Sequence, residues 1–359
     1  MLVLGGIGGP PSPLFGRSEL DAARIPNLDH LASQGASGVA IPVAPGISPG
    51  GAPGNLALLG YDPLKYVFGR GALEAIGTGL DLQPGDVAAR GNLAIVDDSG
   101  TITDRRAGRI STEDAAPLLE ALRKIKVPGV ETEIGHTADH CFALRLRGPG
   151  LHAGVSNTDP METDVPALEA KPEERAAAKT AKAINAFVAS ASEALAGKPA
   201  NAVLLRGWAS PPELPSMADA YQMKPAAIAA YPLYQGIAQA VGMTVYRAGT
   251  DFTSHLELLK QHWDEHDFFW VHYKESDVAA QDGDFHAKRK AIERLDEHFH
   301  DILTLKPDVL VVTGDHASPS DLGGHSWHPV PFVIRSAGTV GSGTDRFNEH
   351  DLRGGSLGQ

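Results

Sequence analysis

One cysteine, Cys141, is all that the 359 residues contain. A single thiol cannot close an internal disulfide, which excludes the disulfide-stapled secreted scaffolds. Long apolar runs are missing, and nothing approaches the ~20 residues of a membrane-crossing helix. No basic region precedes an apolar stretch at the start, so no signal peptide is expected and the expected location is cytoplasmic. Positive charge is scarce: 31 Lys and Arg stand against 44 Asp and Glu, a formal net charge of −13. Phosphate backbones would be repelled, so nucleic acid is not an expected partner. Glycine is plentiful, with 40 residues in the chain, above the usual ~7%. Its spacing has no period, which rules out collagen-like and low-complexity classes. Hydrophobic residues make up 42%, ample for a core. The length suits one large domain with an insertion, or two domains.

The chain opens Met1-Leu2-Val3-Leu4, a short apolar run emptying into Gly5-Gly6-Ile7-Gly8-Gly9. This reads as a buried strand and a glycine turn. It is shorter than the usual ~5–6 residues, so the strand is expected to be clipped by a start codon placed late. Pro26-Asn27-Leu28-Asp29 reads as a helix start. Residues 45–54 are too rich in Gly and Pro for regular structure, and a helical face resumes at Asn55. From 70 to 163 strand-like runs alternate with turns; Leu93–Val96 and Cys141–Leu146 are the clearest. Glu169–Leu195 predicts one long amphipathic helix.

The second half alternates. Strands are expected at Ala202–Leu205, Thr244–Arg247, Phe268–His272 and Val309–Val312. Helices are expected at Pro232–Val241, Ser254–His262 and Phe285–Leu303, the last with a solvated charged face from His286 to His300. Continuous Val/Leu runs fit strands buried on both faces of a parallel sheet. The pattern predicts an α/β, doubly wound, mostly parallel sheet core with an inserted smaller α+β cap domain. The expected bounds are 1–70 and 165–359 for the core and 71–164 for the cap.

In open α/β sheets ligands gather at the carboxyl ends of strands. Three such ends here carry titratable groups: His272 to Asp277, Asp315-His316, and the loop with His325 and His328. Carboxylate and imidazole are good ligands for zinc, manganese and related ions, so Asp315-His316 at a strand end, with His325 nine positions on, is a candidate metal-binding pattern. Arg105, Arg106 and Arg109 are candidate anion contacts, because a guanidinium fork suits phosphate or carboxylate. Arg206, after a strand, is a fourth candidate, with a capping or salt-bridged role equally open. Cys141 reads as a small buried residue. Ser48 reads as a turn residue between Ile47 and Pro49.

Several stretches together carry a family resemblance. They are Pro26-Asn27-Leu28-Asp29, Leu58-Leu59-Gly60-Tyr61-Asp62-Pro63, Gly69-Arg70-Gly71 with Glu74, Gly85-Asp86-Val87-Ala88, Asp104 to Arg109, Thr158-Asp159-Pro160, Asp282-Gly283-Asp284 and Thr313-Gly314-Asp315-His316. The chain resembles the archaeal-type cofactor-independent phosphoglycerate mutases of the alkaline phosphatase superfamily over nearly its whole length. The resemblance implies interconversion of 3- and 2-phosphoglycerate in glycolysis through a phosphoserine, with divalent metal, manganese or else zinc or magnesium. A small phosphorylated hydroxy acid is the implied ligand.

The same resemblance exposes departures. The family's first metal-binding aspartate is here Gly5, its nucleophilic serine is Gly51, and a metal-binding histidine is Gln281. Two further acids have become Gly9 and Ala52. Four ligand positions remain, at Asp277, Asp315, His316 and His325. Glycine can neither attack phosphorus nor ligate a metal, and an amide oxygen is a poor substitute for imidazole. The expectation is therefore a family member impaired in catalysis, retaining at most one ion. A non-catalytic homologue that binds a phospho-ligand or a protein partner is the alternative. A single-metal phosphatase, or a phosphotransferase on another hydroxy acid, is a further one.

Overall fold

The computed structural model describes residues 1–359, which form two compact units. The first holds Met1–Val67, Pro215–Tyr231 and Val241–Gln359. Its strands are β1 (Leu2–Leu4), β2 (Ala36–Ala40), β8 (Pro225–Ala229), β9 (Thr244–Arg247), β10 (Phe268–Tyr273), β11 (Val309–Thr313) and β12 (Val330–Ser336). They make a seven-stranded sheet in the order β2-β12-β11-β1-β10-β8-β9. β1 runs parallel to β10 and β11, and β10, β8 and β9 continue in parallel. Only the pairings of β12, to β11 and β2, are antiparallel. Leu2, Val3 and Leu4 are buried, as are Ile228, Trp270 and Val312. The unbroken apolar runs are thus covered on both faces, as a parallel sheet requires. The register sets Val3 beside His272 and Thr313, so three chains leave the sheet side by side at its carboxyl edge.

Two long helices of this unit start where a short side chain caps them. Asp251 accepts from Ser254 N at 2.9 Å to open Phe252–His262, and Asp284 accepts from Ala287 N at 2.8 Å to open Phe285–Glu297. Each satisfies an otherwise orphaned donor. The single helix expected over 285–303 is two. At His298 the backbone turns to φ −97° and ψ 0°, and a second helix runs Phe299–Thr304. The turn carries Phe299 and Ile302 into the core. The Gly/Pro stretch also departs from expectation, because a helix runs Gly51–Leu58 and begins inside it. Pro53 lies in the first turn, where its missing N–H costs nothing. Gly54 is required by packing: a Cβ there would fall 2.0 Å from the Asp315 carbonyl oxygen.

The second unit holds Phe68–Leu214 and Pro232–Ala240. Its strands are β3 (Val87–Val96), β4 (Ile102–Asp104), β5 (Glu131–Ala138), β6 (Cys141–Arg147) and β7 (Ala202–Ala209). All pairings are antiparallel, with β4, β6 and β7 on β3 and β5 on β6. Four helices accompany them: Arg70–Gly77, Thr112–Arg123, Ala178–Ala194 and Pro232–Ala240. The α+β character is as expected, but the bounds 71–164 are too narrow. β7 pairs with β3, Leu93 facing Val203, and Ile184 and Phe187 share a core with Phe142, Leu144 and Leu205. A buried run such as Ala202–Leu205 looks the same in a parallel or an antiparallel sheet, so periodicity could not assign it. The helix expected from Glu169 begins at Ala178 after a 3₁₀ turn. Residues ahead of it are tied into extended backbone, Ser156 N donating to Lys171 O and Val155 bridging Pro172.

Candidate functional site

At the carboxyl edge of the first unit's sheet, β1 ends in Gly5. Its N–H donates to Tyr273 O at 2.7 Å, and its carbonyl accepts from Ser276 Oγ at 2.6 Å. β11 ends in Asp315, whose side chain is fully buried. Its Oδ1 accepts from Gly6 N at 3.2 Å, and its Oδ2 accepts from Asn55 Nδ2 at 2.7 Å and meets His272 Nε2 at 3.2 Å. Asn55 reaches it from the Gly51–Leu58 helix, seated closely by Gly54. Burial pushes the Asp315 carboxyl up, but His316 and His272 outweigh it and hold the group below the usual carboxylate range.

Three of the four expected metal ligands converge. One ligand atom from each of Asp277, His316 and His325 lies within 4.8 Å of the others. The imidazoles of His316 and His325 stack with centroids 3.8 Å apart. His325 Nε2 is 3.7 Å from Asp277 Oδ1, and its Nδ1 lies 2.9 Å from Pro49 O. Ser318 sits beneath, its Oγ donating to Asp277 Oδ1 at 2.8 Å and lying 3.1 Å from His316 Nδ1. Asp315 adjoins the group, with Oδ2 3.5 Å from His316 Nε2, but its oxygens already serve Asn55, His272 and the Gly6 N–H.

Gln281 Nε2 donates to Asp277 Oδ2 at 2.7 Å and lies 3.5 Å from His325 Nε2. Lys274 Nζ also pairs with Asp277 Oδ2. Burial raises the Asp277 carboxyl, yet the Lys274 ammonium, with His316 and His325, draws it far below the carboxylate range. Burial and the neighbouring His316 lower His325, against Asp277, which keeps its imidazole neutral and able to donate a lone pair. His316 Nε2 is buried without a hydrogen-bond partner. An unpartnered ring nitrogen beside a second imidazole and an ionised carboxylate fits a divalent cation.

The expected anion contacts lie in the second unit and do not act alike. Arg105 makes a fork with Asp159, Nε to Oδ1 at 3.0 Å and Nη2 to Oδ2 at 2.8 Å. Arg206 Nη1 also pairs with Asp159 Oδ2, so its salt-bridged role is the one observed. Arg106 and Arg109 are exposed. The Arg106 backbone N–H donates to Asp104 Oδ1 at 2.7 Å, and Arg109 holds a left-handed φ of 57°.

Sequence reasoning missed the rest of this basin. Glu74 is clasped by Arg70 and Arg90, and Arg90 Nη2 lies 2.9 Å from Cys141 Sγ. His140 is lowered to about 4, first by burial and then by Arg90 and Arg106. Arg70 and Glu74 stand four apart in one helix, a spacing that could have revealed the pair.

One expectation about charge is corrected. Lys288 does not belong to a solvated face. Its side chain is 1% exposed, and Nζ bonds Glu19 Oε2 at 3.2 Å and Ser318 O at 2.7 Å. Glu19 in turn accepts from Ser320 N at 2.8 Å. Ser48 lies in irregular backbone just past the turn at Pro45-Gly46 and not in the turn itself, its Oγ 3.5 Å from the His325 carbonyl.

A mostly parallel α/β sheet with carboxylates and imidazoles gathered at its carboxyl edge, and an α+β unit inserted into the chain, define an α/β class with a three-residue group able to hold a metal ion. Comparison with known proteins narrows this. Residues 32–201 match the family model described as 2,3-bisphosphoglycerate-independent phosphoglycerate mutase. A protein of Thermus thermophilus named "Probable 2,3-bisphosphoglycerate-independent phosphoglycerate mutase" is 44% identical over 366 residues, covering 100% of this chain and 90% of its own. One of the same name from Deinococcus radiodurans is also 44% identical, over 367 residues and the same shares.

Among solved structures, the cofactor-independent phosphoglycerate mutase from Thermoplasma acidophilum superposes with a TM-score of 0.69 at 30% identity, over 99% of this chain and 94% of that one. A protein from Pyrococcus horikoshii gives 0.83 at 28%, over 99% and 92%. The chain belongs to the 2,3-bisphosphoglycerate-independent phosphoglycerate mutase family.

Proposed function

We propose that this chain recognises a small phosphorylated hydroxy acid, holds at most one divalent ion, and does not run a phosphoserine mutase cycle. The observation that carries the reading is Gly51, at the first position of the helix beside Asp315. A phosphoenzyme needs a side-chain nucleophile, and the residue that the family resemblance assigns to that role has none. Gly5 supplies no carboxylate at the end of β1. Gln281 turns an amide N–H toward Asp277 and His325, where it donates and does not ligate.

Asp277, His316 and His325 would hold the ion. A bound divalent ion supplies charge neutralisation for a phosphoryl group and lowers the pKa of its water. The protein's own work would be recognition. Arg105 and Arg206 share Asp159, and Arg90 pairs with Glu74; the guanidinium donors these pairs leave over suit phosphate or carboxylate. The ligand class is the one its relatives' names imply, a glycolytic acid, and a chain with one buried thiol suits the reducing cytoplasm where such acids occur. Titration calorimetry with 3-phosphoglycerate tests this. Binding is expected in the parent and weakened about tenfold or more in Arg206→Ala. Absence of heat with the parent would overturn the recognition claim.

The converged Asp277–His316–His325 group favours one second reading, hydrolysis at a single metal. Slow release of phosphate from p-nitrophenyl phosphate, dependent on added manganese and lost in His325→Ala, would establish it. No release would exclude it.

A further inference from the structure

Asp277 already has three of its roughly four acceptor sites engaged. Oδ1 accepts from Ser318 Oγ at 2.8 Å; Oδ2 accepts from Gln281 Nε2 at 2.7 Å and pairs with Lys274 Nζ. The carboxylate side chain is wholly buried and the lysine side chain 14% exposed. A metal ion approaching the two imidazoles would need Asp277 as its anionic ligand, and would find that charge committed to an ammonium. Two cations cannot share one buried carboxylate without mutual repulsion.

We propose that Lys274 is a built-in competitor for the metal. It holds Asp277 while the site is unloaded and must leave Asp277 for an ion to bind. This rests on the metal reading above, and concerns what sets the affinity.

The fold gives the displaced ammonium a place to go. Lys274 lines an open cleft of about 540 Å³ together with Tyr231, Glu275, Asp282, Asp284 and Lys290. The Lys274 ammonium already lies 5.6 Å from the centroid of the Tyr231 ring. The aromatic face can take over the positive charge when Asp277 gives it up, on a wall that also carries Glu275, already paired with Arg294 at 2.8 Å, and Asp282. The lysine stem is flexible, so the exchange needs a change of rotamers and no movement of the backbone. Gln281 and Ser318 are neutral donors and gain nothing comparable by leaving. Lys274 is therefore a positioning residue: it acts on Asp277 and is itself no ligand.

The test is the dissociation constant for Mn²⁺, read from the electron paramagnetic resonance signal of the free ion. The parent is compared with Lys274→Met and Lys274→Arg. Lys274→Met removes the charge and keeps the length, and its affinity is expected to rise by about tenfold. Lys274→Arg retains the charge and is expected to stay within about threefold of the parent.

Thermal melts of both variants establish that they are folded. A merely structural lysine would weaken binding in Lys274→Met, and that result, or unchanged affinity, overturns the proposal while leaving the metal reading in place. Failure of the parent and of Lys274→Met alike to bind Mn²⁺ overturns the metal reading itself, and this proposal with it.

Discussion

Burial decides what individual charges do in this molecule. Glu349 is the clearest case: Ser18 Oγ donates to its Oε2 at 2.7 Å, while Oε1 is buried with no partner. Burial raises its pKa from 4.5 to about 7, against the help of Ser18. Across that window the unfolded chain gives up the proton and the folded chain keeps it, so stability falls as pH rises from 4.5 to 7. Glu349→Gln removes the penalty. Urea denaturation is expected to find the variant about 2–3 kcal/mol more stable than the parent at pH 8, and equal to it at pH 4.5. An equal difference at both pH values would contradict this.

Asp159 is the complementary case. Its buried carboxylate holds Arg105 and Arg206, which outweigh desolvation and keep it ionised. Asp159→Asn is expected to lower stability by about 3 kcal/mol, because two guanidiniums lose their counter-charge. A melt unchanged from the parent would contradict that.

At this scale some of the site was legible and some was not. Asp315 and His316 stand adjacent at a strand end, and His325 and Asp277 lie in strand-end segments, so residue type and position pointed to them. Asn55, Ser318 and Lys288 carried no such signal. Packing alone sets Asn55 against Asp315 and Ser318 against Asp277, and buries Lys288 against Glu19 and the Ser318 carbonyl.

Among elements, close backbone approach fixes how helices pack within the second unit. The helices Arg70–Gly77 and Pro232–Ala240 meet through glycines: a Cβ at Gly236 would fall 1.8 Å from Leu73 O, and one at Gly77 1.7 Å from Pro232 O. Both contacts are with backbone, so no side-chain rotation relieves them. Gly236→Ala is expected to cost about 2–3 kcal/mol by forcing the helices apart, seen as a lower denaturation midpoint. A midpoint at or above that of the parent would show that the pair yields. Helix positions were readable where caps and apolar spacing agreed, as at Pro26 and Asp251. The start at Gly51 was not, because its glycines serve contact with Asp315 and offer no helical pattern of their own.

For the whole molecule, alternating strands and helices revealed the α/β core, while the extent of the inserted unit was hidden. β7 and the helix Ala178–Ala194 have the composition of core elements, and only pairing with β3 and packing on Phe142 assign them to the second unit. The matched stretches gave the family. The proposed function within that family turns on Gly5, Gly51 and Gln281, since the same fold can carry different chemistry.

The central claim is that no phosphoserine cycle runs here. It is tested most directly by incubating the pure protein with 3-phosphoglycerate and saturating Mn²⁺ and following the ³¹P spectrum. The expected result is a 3-phosphoglycerate resonance that persists, with no 2-phosphoglycerate appearing. Growth of the 2-phosphoglycerate resonance toward equilibrium would contradict the account.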